Sequence, residues 1–97
     1  MTNFAKFLAE DRRLVILRVL AELPGYRTNS FLLHTLLGKF GHEPSADQVK
    51  TDLTWLREQD LVAVDDVEGV YVATLTTRGA DVAAGRAVVP GVKRPGA

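Results

Sequence analysis

The stretch that decides the fold of this chain is residues 45–64, which run SADQVKTDLTWLREQDLVAV. Ser45 and, three residues later, Gln48 form a capping-box pattern that predicts the start of a helix. Apolar residues then follow at the i, i+4, i+7 spacing of one helical stripe, namely Val49, Leu53 and Leu56. The stretch ends in β-prone residues. It therefore predicts an amphipathic helix that leads directly into a strand.

Two β-prone runs follow this helix, residues 61–64 and 70–75. The residues between them, DDVEG at 65–69, predict the tip of a hairpin, with Gly69 available for a positive φ. Thr76 or Thr77 then caps a short helix from Arg78 to about Gly85.

Two helices are predicted upstream. The first spans residues 3–23, with Asn3 as its N-cap, a possible restart at Asp11, and an end at Pro24-Gly25. Its helically spaced apolar residues are Phe4, Phe7, Leu8, Leu14, Leu17 and Ala21.

The second upstream helix is capped by Asn29, runs through Phe40 and is ended by Gly41. Its predicted inward residues are Leu32, Leu33, Leu36, Leu37 and Phe40. One core is expected to bring together the stripe of the third helix with Leu14, Leu17, Leu36 and Leu75.

The predicted order is helix, helix, helix, strand, strand, helix, which is mainly α with a small β-hairpin. This order is similar to that of the winged helix-turn-helix proteins, whose third helix and hairpin wing are built to contact DNA. The predicted domain is residues 1–86. Residues 87–97 form an extended tail, because two Pro-Gly pairs prevent regular structure there. Because the start of the tail is apolar, we expect it to be covered, either by this domain or by a second copy in a homodimer.

A closer resemblance rests on three runs, LAEDRRLVILRVLAELPGY, DQVKTDLTWLREQDLV and TLTTRGADVAAGRAVVPGVKRPG. Together they resemble a family of small winged-helix proteins encoded by Mu-like phages and prophages. The resemblance covers nearly the whole chain, and the last run is its most specific part. It implies a phage protein encoded among late, morphogenesis or packaging genes. It brings no catalytic or binding residues with it.

Composition excludes several function classes. The 97 residues include no cysteine, so disulfides, thiol catalysis and zinc-finger chemistry are ruled out. No apolar run is long enough for a membrane span, and the N-terminal segment carries acids where a signal peptide needs an unbroken apolar core, which predicts a cytoplasmic protein of the bacterial host cell. His34 and His42 have no metal-site spacing. We therefore expect neither an enzyme nor a cofactor.

Charge is unevenly distributed although the net charge is zero. Residues 1–44 hold six basic and four acidic residues, for a net charge of +2. Residues 45–77 hold two basic against seven acidic residues, for −5, and residues 78–97 hold four against one, for +3. The negative segment contains the helix and hairpin that would face DNA.

Two functions compete for this segment. As a DNA-binding regulator or an accessory to late functions, the protein would contact double-stranded DNA through polar residues of the third helix: Gln48, Lys50, Thr51, Thr54 and Arg57. As an acidic adaptor, it would instead bind a basic phage or host protein, with Trp55 as an anchor. Trp55 could equally pack against the hairpin or the first helix. The acidic flanks weigh against phosphate contacts.

Overall fold

A computed structural model describes residues 2–96 of the chain, apart from the side chain of Thr2. It contains four helices and three strands in the order α1 (Thr2–Glu22), β1 (Arg27–Asn29), α2 (Ser30–Lys39), α3 (Ala46–Glu58), β2 (Val62–Val67), β3 (Val70–Leu75) and α4 (Thr77–Ala83). A single 3₁₀ turn, Pro24–Tyr26, joins α1 to β1. The predicted class is confirmed: a mainly helical protein with a small antiparallel sheet in the winged-helix layout.

Short polar side chains start three of the helices, as predicted. Asn29, Ser45 and Thr76 are the N-caps of α2, α3 and α4. Each side-chain oxygen accepts a hydrogen bond from the backbone N–H three residues later, from Leu32 at 2.8 Å, Gln48 at 3.0 Å and Gly79 at 3.0 Å. These bonds satisfy donors that the first turn of a helix leaves free, so the local sequence fixes the helix starts.

Strands β2 and β3 form the predicted hairpin, but its tip is tighter than expected. Pairing runs from Val62 with Leu75 to Val67 with Val70, so the acidic residues 65 and 66 lie within β2. The two-residue turn is Glu68-Gly69, with φ of 53° and 85°. Two successive positive φ values are typical of a type I′ turn, whose twist matches that of the flanking strands.

Strand β1 was not predicted. Its three residues pair antiparallel with the other edge of β3, from Arg27 opposite Thr74 to Asn29 opposite Val72, and give the sheet order β1-β3-β2. The strand exists because β3 offers a free edge, a feature that a three-residue segment does not encode by itself.

Helix α1 differs from its prediction in three respects. It is continuous through Asp11, and Asn3 lies inside the helix rather than capping it. The apolar residues of its first two turns do not reach the core: Phe4 is 66% exposed, Phe7 is 67% exposed and Leu8 is also exposed. Residues 3–8 are all exposed, so helical spacing alone did not bury these side chains.

Helix α2 buries a narrower face than predicted. Leu33 and Leu37 are fully buried and Leu36 is partly buried, whereas Leu32 and Phe40 are exposed, so the inward placement of these two was wrong. One helical turn separates the two buried leucines, and Leu32 points about 100° away from Leu33. Phe40 is the C-cap, where the chain leaves the helix before Gly41 with its φ of 87°.

The core joins all four helices to the sheet, and the predicted phase of α3 is confirmed. Val49, Leu53 and Leu56 are fully buried. They share one cluster with the other residues expected there, Leu14, Leu17 and Leu75, while Leu36 packs against its edge. Leu61, Val62 and Ala73 continue the cluster into the hairpin.

Residues 87–96 contain no helix or strand, yet they fold back on the domain. Val89 and Val92 are buried in the same core cluster. The backbone N–H of Lys93 donates to the carbonyl of Glu10 at 3.2 Å. The domain itself therefore covers part of the apolar tail, as one of the two expectations held, while Val88 stays exposed.

Candidate interaction face on the third helix and hairpin

The outward side of α3 and the adjacent hairpin form one surface, here called the α3–hairpin face. An open depression of about 340 Å³ lies at its centre, lined by Asp47, Lys50, Thr51, Thr54, Trp55, Glu58 and Tyr71. Three of the five residues predicted to contact DNA line it, together with Trp55. Gln48 and Arg57 lie outside it.

Lys50 is held by the hairpin rather than free in solvent. Its Nζ donates to the carbonyl oxygen of Gly69 at the hairpin tip, and it lies 5.2 Å from the ring centroid of Tyr71. Both contacts are favourable for an ammonium group. The side chain therefore links α3 to the hairpin, and its positive charge already interacts with groups of the domain itself.

The other predicted residues differ in how far they face solvent. The amide of Gln48 donates to Asp52 at 3.2 Å and so turns toward the domain. Thr51 is exposed, but its hydroxyl donates back to the carbonyl of Asp47 at 3.1 Å. Thr54 is half-buried, and Arg57 is exposed without a salt bridge to any residue in the described part of the chain.

The burial of Asp52 was not predicted from the sequence, where this residue is only one of the seven acids of residues 45–77. Its side chain is only 1% exposed and forms a two-point ion pair with Arg12 of α1, itself 14% exposed. Arg12 donates through Nε to one carboxylate oxygen and through Nη2 to the other at 3.1 Å. A signal was present, because positions 49, 52, 53 and 56 have the full i, i+3, i+4, i+7 spacing of a buried stripe.

Trp55 lies between α1 and the tail. It is half-buried and packs against the core, with the guanidinium carbon of Arg13 4.2 Å from its ring centroid. The same guanidinium donates to the carbonyl of Gly91 at 2.9 Å. Trp55 therefore packs against the first helix, which confirms the interpretation that it packs within its own domain. Contact with a partner through its exposed part stays a prediction.

Acidic side chains dominate what the α3–hairpin face presents to solvent. Five of its acids are exposed: Asp47, Glu58, Asp65, Asp66 and Glu68. Of the two basic residues in residues 45–77, Lys50 is half-buried and Arg57 is exposed. The burial of Asp52 removes one negative charge from the surface without changing the sign of the field, so the face attracts cations and repels polyanions.

A second charged cluster joins the tail to α1, away from this face. Asp11 accepts from His42 at 2.6 Å and from Lys93 at 3.4 Å. Partial burial raises the pKa of Asp11, but the hydrogen bonds and positive charges of His42 and Lys93 outweigh it and lower the pKa below its ordinary value. The cluster therefore fixes the end of the tail to the middle of α1.

Among the described residues, no helix combines the length and apolar character needed to cross a membrane.

Comparison with known proteins identifies relatives that cover most of the chain. It is 52% identical over 88 residues to the uncharacterized protein gp26 of Escherichia phage Mu, covering 91% of each chain. It is 40% identical over 77 residues to an uncharacterized protein of Haemophilus influenzae, covering 78% of this chain and 74% of that protein. No protein-family model matches the chain, and no solved structure matches it significantly. The resemblance to Mu-like phage proteins is thereby confirmed, and the chain belongs to the family of phage Mu gp26.

Proposed function

We propose that this protein is a winged-helix interaction module of a Mu-like phage that binds a basic phage or host protein through its α3–hairpin face. The observation that carries the proposal is the charge of that face, with five exposed acids against one exposed arginine. Opposite charges across an interface accelerate encounter and select partners. A basic protein segment is the partner that this surface favours.

The cations that a DNA complex would need are engaged within the domain. Arg12 is paired with Asp52, and Lys50 donates to the hairpin tip. Duplex DNA carries one negative charge per about 1.7 Å, and affinity for it comes largely from neutralising phosphates. The face offers few free cations for that purpose, which supports a protein partner.

A second candidate function, binding of double-stranded DNA as a regulator or an accessory to late or packaging functions, is favoured by the layout itself. In winged-helix proteins the helix at the position of α3 enters the major groove. Here Thr51 and Arg57 are exposed on that helix and could reach base edges. On this alternative the acidic hairpin would lie away from the duplex.

Two fluorescence-anisotropy titrations separate the candidates, one with a labelled lysine-rich peptide and one with a labelled mixed-sequence duplex, each near 50 and 200 mM salt. We expect binding to the peptide that weakens with salt and no binding to the duplex. The charge reversal Glu58→Lys with Asp65→Lys should abolish peptide binding, because both acids are exposed on the face.

The matched control reverses two acids elsewhere whose side chains face solvent, Glu43→Lys with Asp81→Lys, which changes the net charge equally. Peptide binding should survive in this control, since only the position of the charge differs. Loss of peptide binding in both variants alike would contradict a specific face. Duplex binding by the unaltered protein that is lost on Arg57→Ala would establish the second candidate instead.

A further inference from the structure

The first two turns of α1 present an apolar side to solvent. Phe4 and Phe7 are 66% and 67% exposed, and Leu8 is also exposed. The opposite side of these turns carries Lys6, whose ammonium lies 4.0 Å from the carboxylate of Glu10. The segment is therefore amphipathic, and nothing within the described residues covers its apolar side. Clustered exposed apolar residues of this kind mark interaction surfaces.

A separate apolar groove lies between the second half of α1 and the end of α2. It has a volume of about 370 Å³ and is lined by Val15, Arg18, Val19, Glu22, Leu23, Leu36 and Phe40. Phe40 is 61% exposed at its edge. Apart from Arg18 and Glu22 the lining is apolar, and a groove of this volume can receive an aromatic side chain.

The exposed segment and the groove lie on the same side of α1. Phe4 precedes Val15 by eleven residues, and Leu8 precedes Val19 by eleven. Eleven residues are close to three helical turns, so all four side chains point in nearly one direction. The separation along the axis is about 16 Å, which is too far for Phe4 to enter the groove of its own chain.

We propose that a second copy of this chain occupies the groove, through an antiparallel pairing of the two α1 helices. A twofold axis near residues 11 and 12 places Phe4 of each copy against Val19 of the other and Leu8 against Val15. The four-residue spacing of the inserted pair equals that of the receiving pair. The contact is therefore made twice, which is the self-complementarity that a symmetric dimer requires.

The buried area and the helix dipoles agree with this arrangement. Phe4, Phe7 and Phe40 each leave roughly 100–150 Å² to be covered, so two copies would bury on the order of 1,000 Å² with Leu8 included. That lies at the lower limit for a specific interface, which is the size expected of a reversible dimer. Antiparallel pairing also brings Glu22 close to the N-terminal end of the other α1, where a carboxylate is favoured.

Sedimentation equilibrium of the full chain from about 1 to 100 μM tests the proposal. We expect a monomer–dimer equilibrium whose dissociation constant rises at least about tenfold in Phe4→Ser with Phe7→Ser, and similarly in Phe40→Ser. The control is Phe31→Ser, which removes an equally exposed phenylalanine of α2 that does not line the groove. All the variants should keep the thermal midpoint of the monomer, since each residue is exposed.

Engineered cysteines supply an independent readout, because the chain has none of its own. Phe4→Cys with Phe40→Cys should form disulfides only between copies under mild oxidation, since the two sites are too distant within one chain. Phe4→Cys with Phe31→Cys is the matched pair and should crosslink much less. A protein that stays monomeric at 100 μM, or a Phe31→Ser variant that dissociates as readily as the groove variants, would overturn the proposal.

Discussion

The two ends of this chain contrast in regularity and burial. The first turns of α1 are regular helix, yet their phenylalanines are exposed. Residues 87–96 have no regular structure, yet Val89 and Val92 are buried in the core cluster. Regular structure follows from local hydrogen bonds, whereas burial depends on where a side chain lies relative to the core. A periodic apolar pattern therefore predicts a helix more securely than it predicts which residues are inside.

The two ends also differ in the polar contacts that attach them to the rest of the domain. The tail makes three polar attachments to α1: the Arg13 guanidinium to Gly91, the Lys93 backbone to Glu10, and the Lys93 side chain to Asp11. The only ion pair of the first α1 turns within residues 2–96 is the local one between Lys6 and Glu10. The tail should accordingly contribute to monomer stability, and the first turns of α1 should not.

The largest effect is expected from ending the chain after residue 86. Losing Val89 and Val92 from the core removes about 1.5–3 kcal/mol each, which is a large share of the stability of a domain of this size. Urea unfolding followed by circular dichroism should show a drop of about 3–6 kcal/mol in the free energy of unfolding. An unchanged midpoint would mean that the tail is not packed in solution.

A smaller loss in the free energy of unfolding is expected from Gly91→Ala. Gly91 has a φ of 100°, and a Cβ there would lie 2.5 Å from Cζ2 of Trp55. Strain and overpacking of this kind cost about 1–3 kcal/mol. The control is Gly96→Ala, where φ is also positive but a Cβ meets open space. If both variants unfold at the same temperature, the contact between Gly91 and Trp55 does not hold the tail.

A pH-dependent effect is expected from Asp11→Asn. Because the pKa of Asp11 is lowered on folding, the stabilisation from its charge is complete above the unfolded value of about 3.8 and is lost as pH falls through the lower folded value. Asp11 is more than a third exposed, so the loss at pH 7 should stay within about 1 kcal/mol. Urea titrations at several pH values should show the free energies of unfolding of the unaltered protein and of Asp11→Asn converging as the pH falls. A gap that persists at the lowest pH would contradict the charge explanation.

The smallest effect is expected from Phe4→Ser with Phe7→Ser in dilute, monomeric protein. Both side chains are exposed, so each change should alter the free energy of unfolding by less than about 0.5 kcal/mol. Thermal unfolding at low micromolar concentration measures this. A loss as large as that caused by removing the tail would show that the first turns of α1 are packed after all.

The sequence predicted the features that are encoded locally. The Asn29, Ser45 and Thr76 caps each need only a side chain and a backbone N–H three residues away. The hairpin needs two β-prone runs and a glycine at its turn. The buried stripe of α3 needs only helical spacing.

The features that escaped prediction depend on distant parts of the chain. Strand β1 forms because β3, more than forty residues later, has a free edge. Asp52 is buried because Arg12, forty residues earlier, neutralises it. At the candidate site, the engagement of Lys50 by Gly69 follows from how the hairpin lies against α3. Periodicity places position 52 on the buried stripe of α3, but neither periodicity nor a charge count identifies the partner in such pairings.

The ion pair between Arg12 and Asp52 has a consequence for how this family can diverge. With the buried leucines it sets the rotation of α3 from the inside, independently of the outer side of the helix. Substitutions at exposed positions such as 47, 51 and 58 therefore leave the fold intact. Removing one member of the pair leaves a buried charge and costs about 3–5 kcal/mol. The outer side of α3 can therefore change while the fold is kept, whereas positions 12 and 52 have to change together.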